Sequence, residues 1–337
     1  MKIALKIFGI IICVICGFLL YVQSSYRQTF QRQPTGIRAS NDSSIVSRGK
    51  YLTLGPAHCY TCHIPDSVKQ KGDLERMIGG NPLVTPFATF YPPNITSDKE
   101  TGIGKLTDEE LAGAIRYNLS HNNRAMVGFM SYNNMSDNDI AAIISYLRTT
   151  RPVYNVVPDH DYNILGKILM RFLIEPVAPM VSNVQADTTA EYGRYLAYNV
   201  MNCNGCHTNR SSTGEFIGEP FAGGHSWEID GAKYTAANLT QDDSTGRIAK
   251  WTRDIFIQRF RAGRVLEHSP MPWDAYQTIS DFDLTALYKF LAQLPPVKNE
   301  IATYAPKQKK KRWSNVSSAD SEQRTARASN WKVRNRR

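Results

Sequence analysis

Cys59-Tyr60-Thr61-Cys62-His63 and Cys203-Asn204-Gly205-Cys206-His207 are the two stretches that decide how this chain is read. Each sets two thiols three residues apart, with an imidazole directly after the second. On the first turn of a helix, that spacing lets both sulfurs bond the vinyl groups of one haem while the histidine is carried beneath the ring to the iron. A zinc site needs four ligands in one cluster, and neither half offers another cysteine. A thioredoxin-type exchange motif wants a βαβ setting, which the surrounding pattern lacks. The spacing implies two covalently attached haem c groups, on Cys59 and Cys62 with His63, and on Cys203 and Cys206 with His207.

Outward from these motifs the chain repeats itself at one offset, 144 residues. Gly49-Lys50-Tyr51-Leu52 recurs as Gly193-Arg194-Tyr195-Leu196, Asn94-Ile95-Thr96 as Asn238-Leu239-Thr240, and Thr101-Gly102 as Thr245-Gly246. Met135-Ser136-Asp137 recurs as Ile279-Ser280-Asp281, and Pro152-Val153 as Pro296-Val297. A duplicated domain follows, one copy over 46–153 and the other over 187–300. Amphipathic helices lead into each motif at Ser47 to Leu54 and Ala190 to Asn199, and Thr107 and Ser136 read as N-caps with acids in the first turn. The segments Gly79 to Asn94 and Ala222 to Asn238 read as loops, and no run of alternating strands is visible. The expected fold class is all-α.

Opposite each histidine, a methionine thioether would close the iron and suit it to electron transfer. In the second half Met271 stands in Ser269-Pro270-Met271-Pro272-Trp273, on a proline-fixed loop before the last helix. The first half offers Met126 and Met130. Counting without gaps from Ile115 and Phe260 sets Met126 opposite Met271, whereas Phe129-Met130-Ser131-Tyr132 is the better local match and favours Met130, because a ligand is fixed by its own loop. Whichever does not ligate fills core space. His58, His121, His160, His225 and His268 read as loop or surface residues that would ligate only by displacing a methionine.

At 337 residues the chain suits about two domains, and 42% hydrophobic content gives each a core. The net charge of +10 is not a nucleic-acid signal: residues 307–337 hold 11 Lys/Arg against 2 Asp/Glu, leaving 29 basic and 28 acidic residues elsewhere. That basic tail, within 301–337, reads as disordered. Residues 1–25 carry Lys2 and Lys6 before an apolar run from Ile7 to Val22, read as an uncleaved membrane anchor with the lysines on the cytoplasmic side and the body in the periplasm. Cys13 and Cys16 within it read as small hydrophobes. Residues 154–186 form a linker whose apolar stretch, Ile164 to Pro179, either packs on the domains or meets the membrane surface.

With both motifs, the Asn-x-Thr loops, Thr101-Gly102-Ile103-Gly104 and the Met271-Pro272-Trp273 to Leu291 ending, the chain resembles the bacterial class I cytochrome c family. It is similar to the multi-haem cytochrome c subunits of membrane-bound alcohol and gluconate dehydrogenases over roughly residues 46–300. The resemblance implies two tandem cytochrome c domains behind a transmembrane helix, with His63/Met130 and His207/Met271 as iron ligand pairs. It implies electron transfer from a dehydrogenase or quinol donor to an oxidase or soluble cytochrome, with no catalytic residue needed. Those subunits usually carry three haems where this chain has two motifs. The alternatives are a di-haem oxidoreductase acting on a small molecule such as peroxide or thiosulfate, through an open iron, and a scaffold subunit docked by its basic tail.

Overall fold

The computed structural model describes residues 2–181, 184–211, 214–229, 231–267 and 269–306. His268 and the basic stretch 307–337 lie outside the described residues. Helix α1 (Lys2–Ser25) is followed in the first half by α2 (Ser43–Leu54), α3 (Tyr60–His63), α4 (Asp66–Lys69), β1 (Leu83–Val84), β2 (Ala88–Phe90), α5 (Asp108–Tyr117) and α6 (Asp137–Thr149). After β3 (Asp161–Tyr162) and α7 (Ile164–Phe172) the pattern recurs: α8 (Ala190–Tyr195) running into a π-helical turn at Leu196–Val200, α9 (Cys203–His207), β4 (Ser226–Ile229), β5 (Ala232–Thr235), α10 (Arg253–Arg261), α11 (Trp273–Tyr276), α12 (Asp281–Leu291) and β6 (Tyr304–Ala305).

The caps follow the chemistry of the sequence. Thr107 and Glu110 form a reciprocal capping box on α5, Ser136 accepts from the Asp139 N–H on α6, and Ser280 accepts from the Asp283 N–H on α12. The entry helix of each half crosses the terminal helix at one glycine. A Cβ on Gly49 would lie 1.8 Å from the Ala142 carbonyl oxygen, and one on Gly193 would lie 1.9 Å from that of Ala286. Only glycine lets the backbones approach this closely, which explains why Gly-x-Tyr-Leu recurs at the head of each half.

The fold is not all-α. Two three-stranded antiparallel sheets are present, in the orders β1-β2-β3 and β4-β5-β6. Their strands are two to four residues long, too short for alternation to show against loop composition. Their third strands come from beyond each domain's last helix, Ala88 pairing with Tyr162 and Lys233 with Ala305. A long-range pairing of this kind leaves no local trace in the sequence.

The halves share one hydrophobic core, with Leu52, Met77 and Ile144 of the first continuous with Leu196, Phe221 and Leu287 of the second. They dock about a pseudo-two-fold axis. The Tyr51 hydroxyl donates to Asp283 Oδ2 at 2.7 Å and accepts from the Ser280 N–H at 3.1 Å. At the equivalent positions the Tyr195 hydroxyl donates to Asp139 Oδ2 at 2.7 Å and accepts from the Ser136 N–H at 3.0 Å. Burial raises both phenols above their ordinary pKa, so they remain donors at neutral pH. Near the axis Arg48 bonds Asp139 at 3.0 Å and Tyr192 Oη at 3.1 Å, so equivalent positions 48 and 192 meet as an unlike pair.

Tyr195→Phe leaves Asp139 without its phenol donor and the buried Ser136 N–H without its acceptor, and is expected to cost about 1–3 kcal/mol of stability, with Tyr51→Phe similar. Chemical denaturation measures it. Wild-type midpoints in both variants would mean that the halves do not depend on these bonds.

Candidate functional site

Each Cys-x-x-Cys-His motif lies on a single helical turn whose histidine is aimed by a carbonyl. His63 Nδ1 lies 2.8 Å from the Pro93 carbonyl oxygen, and His207 Nδ1 lies 2.8 Å from that of Ala237. A carbonyl only accepts, so Nδ1 carries the proton and Nε2 keeps its lone pair free to ligate. Burial lowers the pKa of both imidazoles, favouring this neutral form.

Each carbonyl belongs to the residue just before a repeated Asn-x-Thr loop, and the asparagine side chain fixes that loop. Asn94 Nδ2 donates to Thr101 Oγ1 at 3.1 Å and to the Val153 carbonyl at 2.9 Å, while Asn94 Oδ1 accepts from the Thr96 N–H at 3.0 Å. Asn238 repeats all three with Thr245 at 3.0 Å, Val297 at 2.8 Å and Thr240 at 2.9 Å. Thr101 and Thr245 are in turn held by Asp98 and Asp242. The motif noted in the sequence is thus a brace that points an imidazole. On the other side of each motif, Gly79 N–H and Gly223 N–H donate to the His63 and His207 carbonyls at 2.7 Å.

None of the four motif cysteines is in a disulfide, and burial pushes Cys59 and Cys203 up to about 12. Among the described residues no three His, Cys, Asp or Glu side chains gather as a metal site. Two thiols and one free Nε2 per helical turn are instead the donor set that a covalently attached haem requires, so the residues fit that group.

Two tyrosines to which the sequence reading gave no role tie these sites to the domain seam. The Tyr132 hydroxyl donates to the Ala57 carbonyl, and the Tyr276 hydroxyl donates to that of Met201 at 2.7 Å. Both carbonyls stand two residues before the first motif cysteine. Their common offset of 144 was the available signal. Of the other histidines, His58 bonds the Pro56 carbonyl at 3.0 Å and meets the Tyr276 ring edge-on at 5.5 Å. His160 accepts the Tyr91 N–H, and His225 packs on Trp227. His121 is exposed.

The tyrosines also set the register of the methionines. The offset is 145 across α5 and α10, where Thr107 and Thr252 cap and where Arg116 and Arg261 donate to the carbonyls of Met135 and Ile279. It returns to 144 at Tyr132 and Tyr276. Met271 therefore has its counterpart at position 126 or 127, and Met130 falls opposite Asp274 or Ala275. Met126 is anchored by its N–H to the Asn118 carbonyl at 2.7 Å. Met271 packs against the core, beside a Trp273 ring covered by the Arg259 guanidinium at 3.6 Å.

The cytochrome c subunit of gluconate 2-dehydrogenase from Pantoea cypripedii is 32% identical over 285 residues, covering 76% of this chain and 60% of that protein. The cytochrome c subunit of alcohol dehydrogenase (quinone) from Gluconobacter oxydans is 28% identical over 277 residues, covering 76% and 56%. The chain is similar to these cytochrome c subunits. A diheme cytochrome c-type protein from Cereibacter sphaeroides is 27% identical over 271 residues, covering 75% of this chain and 87% of its own length. No family model matches. The chain spans less than two thirds of the length of the two dehydrogenase cytochrome c subunits.

Two outcomes test the brace. Asn94→Ala or Asn238→Ala strands buried partners and is expected to cost about 2–4 kcal/mol, counting about 1–3 for each unsatisfied group; an unchanged unfolding midpoint would overturn this. Asp242 is held at about 2, below the ordinary 3.8, by hydrogen bonds from Thr245 and Ser244. Its contribution is present above 3.8 and lost as pH falls towards 2, because the unfolded chain binds more protons in that window. The slope of stability against pH between about 4 and 2 should flatten in Asp242→Asn; an identical slope would remove Asp242 from the account.

Proposed function

We propose that this chain is an electron-transfer protein holding two haem c groups, one per half, on Cys59/Cys62 with His63 and on Cys203/Cys206 with His207. The observation that carries the reading is the twice-built brace, in which the carbonyls that accept from His63 and His207 open loops fixed by Asn94 and Asn238. When bound, haem supplies a one-electron iron couple. The chain's own residues fix the imidazole tautomer, bury the ligand side and keep the two sites on a common seam. Met271 serves as the sixth ligand of the second half. For the first half, the register around Tyr132 supports Met126 over Met130.

The resemblance to dehydrogenase cytochrome c subunits supports a dehydrogenase or quinol as donor and an oxidase or soluble cytochrome as acceptor. Lys2 and Lys6 at the head of the apolar α1 support haem domains outside the cytoplasm, in the periplasm of a Gram-negative cell. No catalytic acid, base or nucleophile enters this function.

The reduced spectrum of the full chain, with haem counted and carbon monoxide added, tests the reading. Two haems per chain and no change with carbon monoxide are expected. Met271→Ala and Met126→Ala should each open one iron to carbon monoxide, while Met130→Ala should not. Carbon monoxide binding by the wild type would favour a small-molecule oxidoreductase, and a chain without haem would overturn the proposal.

A further inference from the structure

Helix α7 is apolar on the face it exposes as well as on the face it buries. Gly166 and Met170 are buried, and a Cβ on Gly166 would lie 2.2 Å from the Phe87 carbonyl oxygen, so that face is locked to the first half. Asn163 adds a clamp, capping α7 through the Gly166 N–H and donating to the Pro86 carbonyl at 2.9 Å. The opposite stripe is Ile164, Leu165, Ile168 and Phe172, all apolar, and Leu173 follows just beyond the helix. Ile164, Leu165 and Phe172 are nearly half exposed, and Leu173 is 69% exposed. A surface helix normally presents polar residues there.

The stripe continues the uncovered apolar surface of α1. Phe172 stacks on Phe18 at 6.2 Å and touches Tyr21, while Gln28 bonds the Met170 and Arg171 carbonyls and the Arg171 side chain. Lys167 Nζ donates to Gln23 Oε1 at 2.8 Å. Among the described residues neither Lys167 nor Arg171 pairs with a carboxylate; Arg171 donates to the Tyr21 hydroxyl and lies over the Tyr21 and Phe172 rings. Apolar residues outward, aromatic rings at the junction and cations on long stems without a carboxylate partner are the arrangement that suits a lipid headgroup boundary.

We propose that α7 is an interfacial helix lying in the headgroup region of the bilayer entered by α1, with Lys167 and Arg171 on anionic lipid phosphates. It rests on the reading that α1 enters that bilayer. The helix would fix the first half against the membrane, so that the haem domains do not swing freely on residues 26–42.

The full chain is reconstituted into phosphatidylcholine/phosphatidylglycerol vesicles with an environment-sensitive dye at Leu165→Cys or Leu173→Cys, and at Ile255→Cys on α10 as the control; Cys13 and Cys16 are replaced by Ala. Blue-shifted emission at 165 and 173, quenched several-fold by lipids brominated near the headgroup while 255 is untouched, is expected. Lys167→Gln/Arg171→Gln should reduce the quenching in phosphatidylglycerol vesicles alone. Probes at 165 and 173 as wet as 255 would overturn the inference, and so would protection seen only in native membranes, which would mean a protein partner. Alkaline extraction and N-terminal sequencing of the same sample report on α1 separately. Loss of α1 with the probes still in lipid would sink the anchor and leave α7 standing; wet probes with α1 embedded would do the reverse.

Discussion

A histidine that is to ligate a metal must keep one nitrogen protonated and the other bare, and here a single backbone carbonyl imposes that choice in each half. The Pro93 and Ala237 oxygens accept from Nδ1 at 2.8 Å and would be useless if free to turn away. Behind each stands a chain of polar contacts, from Asp98 to Thr101 to Asn94 and from Asp242 to Thr245 to Asn238. Asn94 and Asn238 are almost wholly buried, so an incomplete set of partners would be costly. Much of the loop architecture between α4 and α5, and between α9 and α10, is explained by the need to present one carbonyl.

The second constraint is how two such units meet. Tyr51 and Tyr195 reach across the seam to the N-cap turns of α12 and α6, each satisfying a carboxylate and a backbone N–H with one hydroxyl. Equivalent residues perform equivalent tasks, as a two-fold arrangement requires. Symmetry breaks at the axis, where Arg48 meets Tyr192, and at His58, whose counterpart is Asn202. His58 packs between Tyr132 and Tyr276, so the two motif-bearing turns share a contact that neither half could form alone.

Much of this was legible beforehand because it is local chemistry. The motifs, their helical setting, the Asn-x-Thr loops, the caps at Thr107, Ser136 and Ser280 and the glycines at 49 and 193 are each written in a few adjacent residues. The all-α expectation failed because β1–β6 are too short to show a period and their partners lie far along the chain. The local match of Phe129-Met130-Ser131-Tyr132 to Pro270-Met271-Pro272-Trp273 sets Tyr132 opposite Trp273. In space Tyr132 is the counterpart of Tyr276, three residues further on, because each hydroxyl donates to the carbonyl two residues before its motif cysteine.

The sequence by itself determined the duplication, the two thiol–imidazole motifs and the apolar character of α1, since all three follow from residue type at fixed short spacing. Only the tertiary structure decided which carbonyl aims each imidazole, how the halves dock, where the sheets close and which way the apolar stripe of α7 faces. Those outcomes depend on which distant atoms are brought within hydrogen-bonding or packing range, and no local pattern encodes that.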